Sequence, residues 1–106
     1  MNKKLLFSYV LPRDFHGYNI PISIQSMYIK NYAENNGYQF VLPVTEISVK
    51  DNYYMLKKFS KKNTYNLAMT SIFILPIYDV LKCKTILKSF SERCLFHFIL
   101  ENLNLK

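Results

Sequence analysis

Glycine, cysteine, arginine and histidine are all scarce in this chain, and each shortage closes off a class of function. Only two glycines occur in 106 residues, so neither a GxGxxG dinucleotide fingerprint nor a phosphate-cradling P-loop can be built. Cys83 and Cys94 have ten residues between them and form no CxxC pair. Even with His16 and His97 they fall short of a metal-ligand set, so no metal and no cofactor is expected. Two free thiols in an intracellular protein, buried or half-buried, are the expectation instead. Arginine is limited to Arg13 and Arg93, which leaves few guanidinium groups for bidentate recognition of phosphate or guanine. No apolar run reaches the ~18–20 residues of a membrane span. Lys3 and Lys4 precede an apolar stretch, but Pro12, Arg13 and Asp14 follow at once without a small-residue cleavage site. That stretch does not read as a signal peptide, and a cytoplasmic protein is expected.

What the chain does have is apolar residues: half of it is hydrophobic and 20% is charged. That balance excludes disorder, and the length suits one domain over 1–106 that buries roughly 60–70% of its unfolded surface. The formal charge is +7, which admits nucleic acid, an anionic membrane or an anionic small molecule as partner. The twelve lysines are spread from Lys3 to Lys106, and the densest group is Lys57, Lys58, Lys61 and Lys62. These fall on the outer face and trailing end of an expected helix, where cations complement the dipole. Specific nucleic-acid binding is therefore the weakest reading. Nine tyrosines and eight phenylalanines exceed what such a core can hide, which predicts a homo-oligomer joined through an aromatic patch.

Apolar runs alternate with helical periodicity. Leu5–Leu11 reads as a strand buried on both faces and stopped by Pro12. A helix to Asn35 follows, with Asn19 as a cap, Pro21 in its first turn and Gly37 at its end. Ile24, Met27, Tyr28, Asn31 and Tyr32 are its expected apolar face. Gln39–Leu42 is a second strand, Val44–Asp51 a loop and Asn52–Lys61 a helix burying Tyr53, Leu56 and Phe59/Ser60. Asn66–Ile74 reads as a third strand. Tyr78–Glu92 is a helix with Asp79 near its start and Cys83, Ile86, Leu87 and Phe90 inward. Leu95–Leu100 is the last strand. This order predicts a three-layer α/β domain, its four-stranded and mainly parallel sheet ordered 2-1-3-4, with helices on both faces.

Ligands of such sheets bind beyond the carboxyl ends of the strands, where the strand order reverses. Arg13, Asp14, His16 and Gln25 cluster around the end of the first strand, Glu46 follows the second, Ser71 lies near the end of the third and Glu101 follows the fourth. Arg13 either anchors a phosphate or pairs structurally with Asp14, Glu46 or Glu101. Glu46 is either a general base or a brace for the next helix. Gln25 and Ser71 are polar positions in otherwise apolar elements. His16 reads as a solvated loop histidine and His97 as a buried, hydrogen-bonded one. The expectation is that Arg13, Gln25, Glu46 and Glu101 converge, with Ser71 at the margin. No residue is assigned a catalytic role.

Several short motifs carry a resemblance. They are Tyr9-Val10-Leu11-Pro12-Arg13-Asp14-Phe15, Ile20 to Ser26, Lys30 to Gly37, Leu42-Pro43-Val44-Thr45-Glu46, Ser71 to Pro76 and His97 to Glu101. In order and spacing, over about residues 8–103, they resemble the bacterial "sporadic carbohydrate cluster" proteins. That resemblance implies a role in surface-polysaccharide or nucleotide-sugar synthesis, with an anionic sugar derivative as ligand, and assigns no reaction. More distantly, the chain is similar to the catalytic domain of serine recombinases, which implies a resolvase-like sheet. Where that family carries its serine nucleophile this chain has Pro12, and that family's arginines beyond the third strand have no counterpart, since Ile74-Leu75-Pro76-Ile77 stands in that stretch. DNA cleavage is not expected. The competing expectation is a non-catalytic, dimerising interaction or scaffold protein.

Overall fold

The computed structural model describes residues 4–12, 17, 19–46, 53–60, 66–76, 79–90 and 94–105. Arg13, Asp14, His16, Lys61, Lys62 and Arg93 lie outside these described residues. Strand β1 spans Lys4–Val10, helix α1 Ile22–Asn35, β2 Tyr38–Phe40, β3 Val44–Thr45, helix α2 Tyr54–Ser60 and β4 Asn66–Met69. A 3₁₀ turn covers Ile72–Ile74, followed by α3 at Val80–Lys88, β5 at Leu95–Phe98 and β6 at Leu103–Leu105. The fold is α/β, with a mixed, mostly parallel sheet ordered β2-β1-β4-β5-β6. The expected 2-1-3-4 arrangement is present as β2-β1-β4-β5. The sheet is six-stranded rather than four-stranded, because β3 also pairs with β1 and β6 runs antiparallel to β5.

Alternation along β1 divides the core. Leu6 and Val10 pack with Ile29 and Ala33 of α1 and with Ala68 of β4. Tyr9 and Leu11 pack on the opposite side with Leu56 of α2, Ile86 and Phe90 of the α3 region, and Phe96 and Phe98 of β5. Thus α1 serves one apolar cluster while α2 and α3 serve the other.

Three local expectations need correction. The buried stripe of α1 is Gln25, Ile29 and Ala33, whereas Met27, Tyr28 and Asn31 are exposed. The cap position is Pro21, with no side-chain cap, rather than Asn19. The run Asn66–Ile74 does not stay extended. The strand ends at Met69, and Ser71 turns the chain into the 3₁₀ segment by accepting the Phe73 N–H at 3.1 Å. Gly37 closes α1 as expected, with a φ of 73° that suits glycine. Asp79 caps α3 by accepting the Lys82 N–H at 3.2 Å.

β2 and β3 are in effect one interrupted strand. Lys4 pairs with Tyr38 but Tyr9 with Val44, so the offset grows by one residue between them. Pro43, which has no N–H to donate, sits at the break. The buried Ser8 hydroxyl donates to the Val41 carbonyl at 3.3 Å across this interruption.

Candidate functional site at the carboxyl edge

β1, β4 and β5 run parallel, so their carboxyl ends deliver Leu11, Thr70-Ser71 and Ile99–Glu101 to one edge of the sheet. The helices that follow β1 and β4 serve opposite apolar clusters. The crevice between the ends of β1 and β4 is therefore the point where the winding reverses.

Gln25 is fully buried in α1 and spends its whole amide locally. Its Oε1 accepts the Leu11 N–H at 3.1 Å, while its Nε2 donates to the Leu11 carbonyl at 2.7 Å and the Ile20 carbonyl at 2.8 Å. It ties the start of α1 to the end of β1. Glu46 continues from β3, with its N–H donating to the Val10 carbonyl at 3.0 Å. Its buried carboxylate accepts the Tyr9 hydroxyl at 2.8 Å and the Met55 N–H at 3.1 and 3.2 Å. It therefore acts as the cap of α2. Tyr53, immediately before that helix, is buried with a left-handed φ of 50°.

Ser71 and Glu101 meet. The Ser71 hydroxyl donates to Glu101 Oε2 at 2.7 Å, and the Ile72 N–H donates to Oε1 at 2.6 Å. Ser71 is thus the direct partner of Glu101. Arg13 lies outside the described residues, so the expected convergence on it rests on the sequence. Gln25 and Glu46 are linked through the end of β1, and Ser71 and Glu101 through the ends of β4 and β5.

One group at this edge has no counterpart among the expected residues. Thr70 Oγ1 is, among the described residues, the buried side-chain polar atom that has no hydrogen-bond partner. Thr70 itself is 0% exposed.

His97 is buried, as expected, but belongs to a different cluster. Its Nδ1 lies 2.7 Å from the Tyr32 hydroxyl and its Nε2 3.0 Å from Asn66 Oδ1. Tyr38 packs edge-on against the ring at 5.3 Å. Burial pushes the His97 pKa down, opposed by the Asn104 side chain. Burial, with a contribution from Tyr38, raises that of Tyr32. Cys83 is a half-buried free thiol and Cys94 a buried one, the latter pushed up to about 11 by desolvation.

Among the described residues no three His, Cys, Asp or Glu side chains gather so as to hold a metal ion. No described helix is long and apolar enough to cross a membrane. The exposed large apolar residues are mainly aliphatic, with Leu42 at 81% and Leu81 at 80% exposure, and Tyr28 and Tyr54 the aromatic members. Compared with protein-family models, curated proteins and solved structures, the chain matches none.

Proposed function

We propose that this chain is a binding protein of surface-polysaccharide or nucleotide-sugar synthesis that holds an anionic sugar derivative at the carboxyl edge of its sheet. The observation that carries this reading is the reversal of winding between β1 and β4, whose following helices serve opposite apolar clusters. The resemblance to the carbohydrate-cluster proteins supplies the ligand class. A resolvase-like ancestry agrees with the parallel order β2-β1-β4-β5, and Pro12 in place of a nucleophile argues against strand transfer. Binding is preferred to catalysis because Glu46 and Glu101 are both engaged in holding backbone N–H groups. A general base would need such a carboxylate within reach of the proton it removes.

Thermal shift and calorimetry with UDP-glucose, other nucleotide sugars and the uncharged sugars test this directly. A nucleotide sugar at about 100 times its Kd should stabilise the fold by about 2.7 kcal/mol. The free sugar should not, and Arg13→Ala should remove the effect while leaving the unliganded melting temperature in place. No shift across the nucleotide sugars would overturn the proposal.

A second reading, the dimerising scaffold, is favoured by the exposed Leu42, Val80 and Leu81. Sedimentation that reports a monomer at high protein concentration, unchanged by Leu42→Ser and Leu81→Ser, would exclude it.

A further inference from the structure

We propose that Tyr32, His97 and Asn104 form a proton-operated latch between α1 and β6. One proton taken up by the imidazole turns the phenolic hydrogen away from His97 and onto the Asn104 side chain. The device lies on the α1 face of the sheet and does not depend on the ligand proposed above.

The cluster draws on five elements. Tyr32 comes from α1, Tyr38 from β2, Asn66 from β4, His97 from β5 and Asn104 from β6. His97 pairs with Ala68 of β4 on one side and with Asn104 of β6 on the other. Paired residues of neighbouring strands share a face, and Ala68 packs in the apolar cluster that includes α1. The imidazole therefore stands on the α1 side, where it is 1% exposed. The Tyr32 and Tyr38 rings pack edge-on against it at 5.4 and 5.3 Å.

Counting hydrogens fixes the resting state. Asn66 Oδ1 can only accept, so the His97 Nε2 that lies 3.0 Å from it carries the hydrogen. Nδ1 is then a lone pair, and it accepts the Tyr32 hydroxyl at 2.7 Å. A second acceptor, Asn104 Oδ1, stands 3.5 Å from that same hydroxyl. A phenol has a single hydrogen to give, and in the neutral state the shorter bond takes it.

A further proton can enter the ring only at Nδ1. That nitrogen then donates, the Tyr32 oxygen becomes its acceptor, and the phenolic hydrogen swings to Asn104 Oδ1. Water supplies the proton, because Tyr32 is half-buried and Asn104 is exposed at the outer end of the relay. The protonated state runs Asn66, His97, Tyr32 and Asn104 into one chain of hydrogen bonds across β4, β5, α1 and β6. β6 is the last strand in the sheet order, so the outermost strand is the element that the switch fastens to the helix.

The titratable groups facing the ring are Tyr32 from α1 and Tyr38 from β2, and β4 and β6 present the neutral Asn66 and Asn104. Among the described residues no carboxylate or ammonium group bonds to it. Burial holds the His97 pKa down while Asn104 pushes it up, the sign of a partner that bonds better to the charged relay.

NMR titration of the ¹⁵N- and ¹³C-labelled full chain tests the latch. At neutral pH the His97 ring should be the Nε2–H tautomer. On acidification the ring and the Asn104 side-chain carbonyl should titrate with one shared midpoint, below the ordinary histidine value of about 6.5. Asn104→Leu should lower that midpoint by about half a unit to one unit, since the imidazolium loses the far end of its relay. Asn104 is exposed, so this change leaves the core packing in place. Tyr32→Phe keeps the ring and cuts the relay. In that background Asn104→Leu should no longer move the His97 midpoint, which separates transmission through the phenol from a direct effect of Asn104. A resting Nδ1–H tautomer, or an Asn104 carbonyl that does not follow the ring, overturns the latch. So does a His97 midpoint unmoved by Asn104→Leu, or a shift that persists in the Tyr32→Phe background.

Discussion

The helices of this protein begin in two different ways. Downstream of β3, the turns are closed by side chains: Glu46 holds the first turn of α2, Glu101 and Ser71 hold the 3₁₀ turn, and Asp79 holds α3. α1 begins on Pro21 with no side chain closing it, at the strand end nearest the reversal of winding. The contrast teaches that a carboxylate at a strand end is not by itself a reactive group. Glu46 and Glu101 occupy the positions a ligand-binding acid would take, and both are engaged with backbone N–H groups. Among the described residues, unused bonding capacity at this edge lies with the Thr70 hydroxyl and the first N–H groups of α1.

Substitutions that open the closed ends, or close the open one, put this contrast to measurement. The largest effect is expected at Glu46. Glu46→Ala leaves the buried Tyr9 hydroxyl and the Met55 N–H without their acceptor, which should cost about 2–4 kcal/mol. Melting should then fall by roughly 10–20 °C in a domain of this size. A drop of only a degree or two would mean that the carboxylate is not a brace.

Glu101→Ala should cost less, about 1–2 kcal/mol, because Glu101 is only half-buried and water can reach the Ile72 N–H. A urea midpoint equal to that of the parent would detach Glu101 from the turn. Asp79→Ala at an exposed cap should lose about 1 kcal/mol. In the reverse direction, Ser23→Glu in the open first turn of α1 should gain about 0.3–1 kcal/mol at low ionic strength, an advantage that shrinks with added salt. A loss there would show that this end is already occupied by protein groups.

The pH dependence sharpens the same contrast from the α1 side of the sheet. The folded-state pKa of His97 lies below its unfolded value, so the unfolded chain binds the proton more readily. Stability from this group is complete above the unfolded value of about 6.5. It declines as the pH falls from there through the lower folded pKa. His97→Gln should flatten that part of the profile. A stability curve that rises on acidification through pH 6 would contradict the burial of a neutral imidazole.

The sequence made the strand order legible because apolar runs buried on both faces differ plainly from helical periodicity. The order β2-β1-β4-β5 followed from those runs and from right-handed crossovers. The inward face of α1 was not legible. Gln25 occupies a core position that hydropathy reserves for apolar residues, and only its bonds to Leu11 make that placement tolerable. Reading the helix without Gln25 shifts the stripe onto Met27 and Tyr28, which the structure leaves exposed. Ser71–Ile74 misleads for a related reason. Its apolar, partly β-branched run has strand propensity, but Glu101, thirty residues away, binds the Ser71 hydroxyl and Ile72 N–H and supports a turn instead. β6 escaped because Leu103-Asn104-Leu105 is short and largely exposed. Among the candidate residues, the polar anomalies Gln25 and Ser71 were visible as anomalies. Thr70 was not, because nothing in a sequence marks a hydroxyl whose partner is missing.

The interrupted outer strand bears on how copies of this chain coexist at high concentration. A sheet that ends in a long, straight strand offers a row of unpaired backbone groups to any neighbour, and such templates seed fibrous aggregation. Here that border is cut into three residues and two, with Pro43 at the cut and an extra residue throwing the second piece out of step with the first. A foreign strand could match one piece or the other, never both in a single register. Straightening the border by Pro43→Val with deletion of Leu42 would supply seven continuous pairing positions, from Tyr38 to Thr45. Such a border would be prone to self-templating.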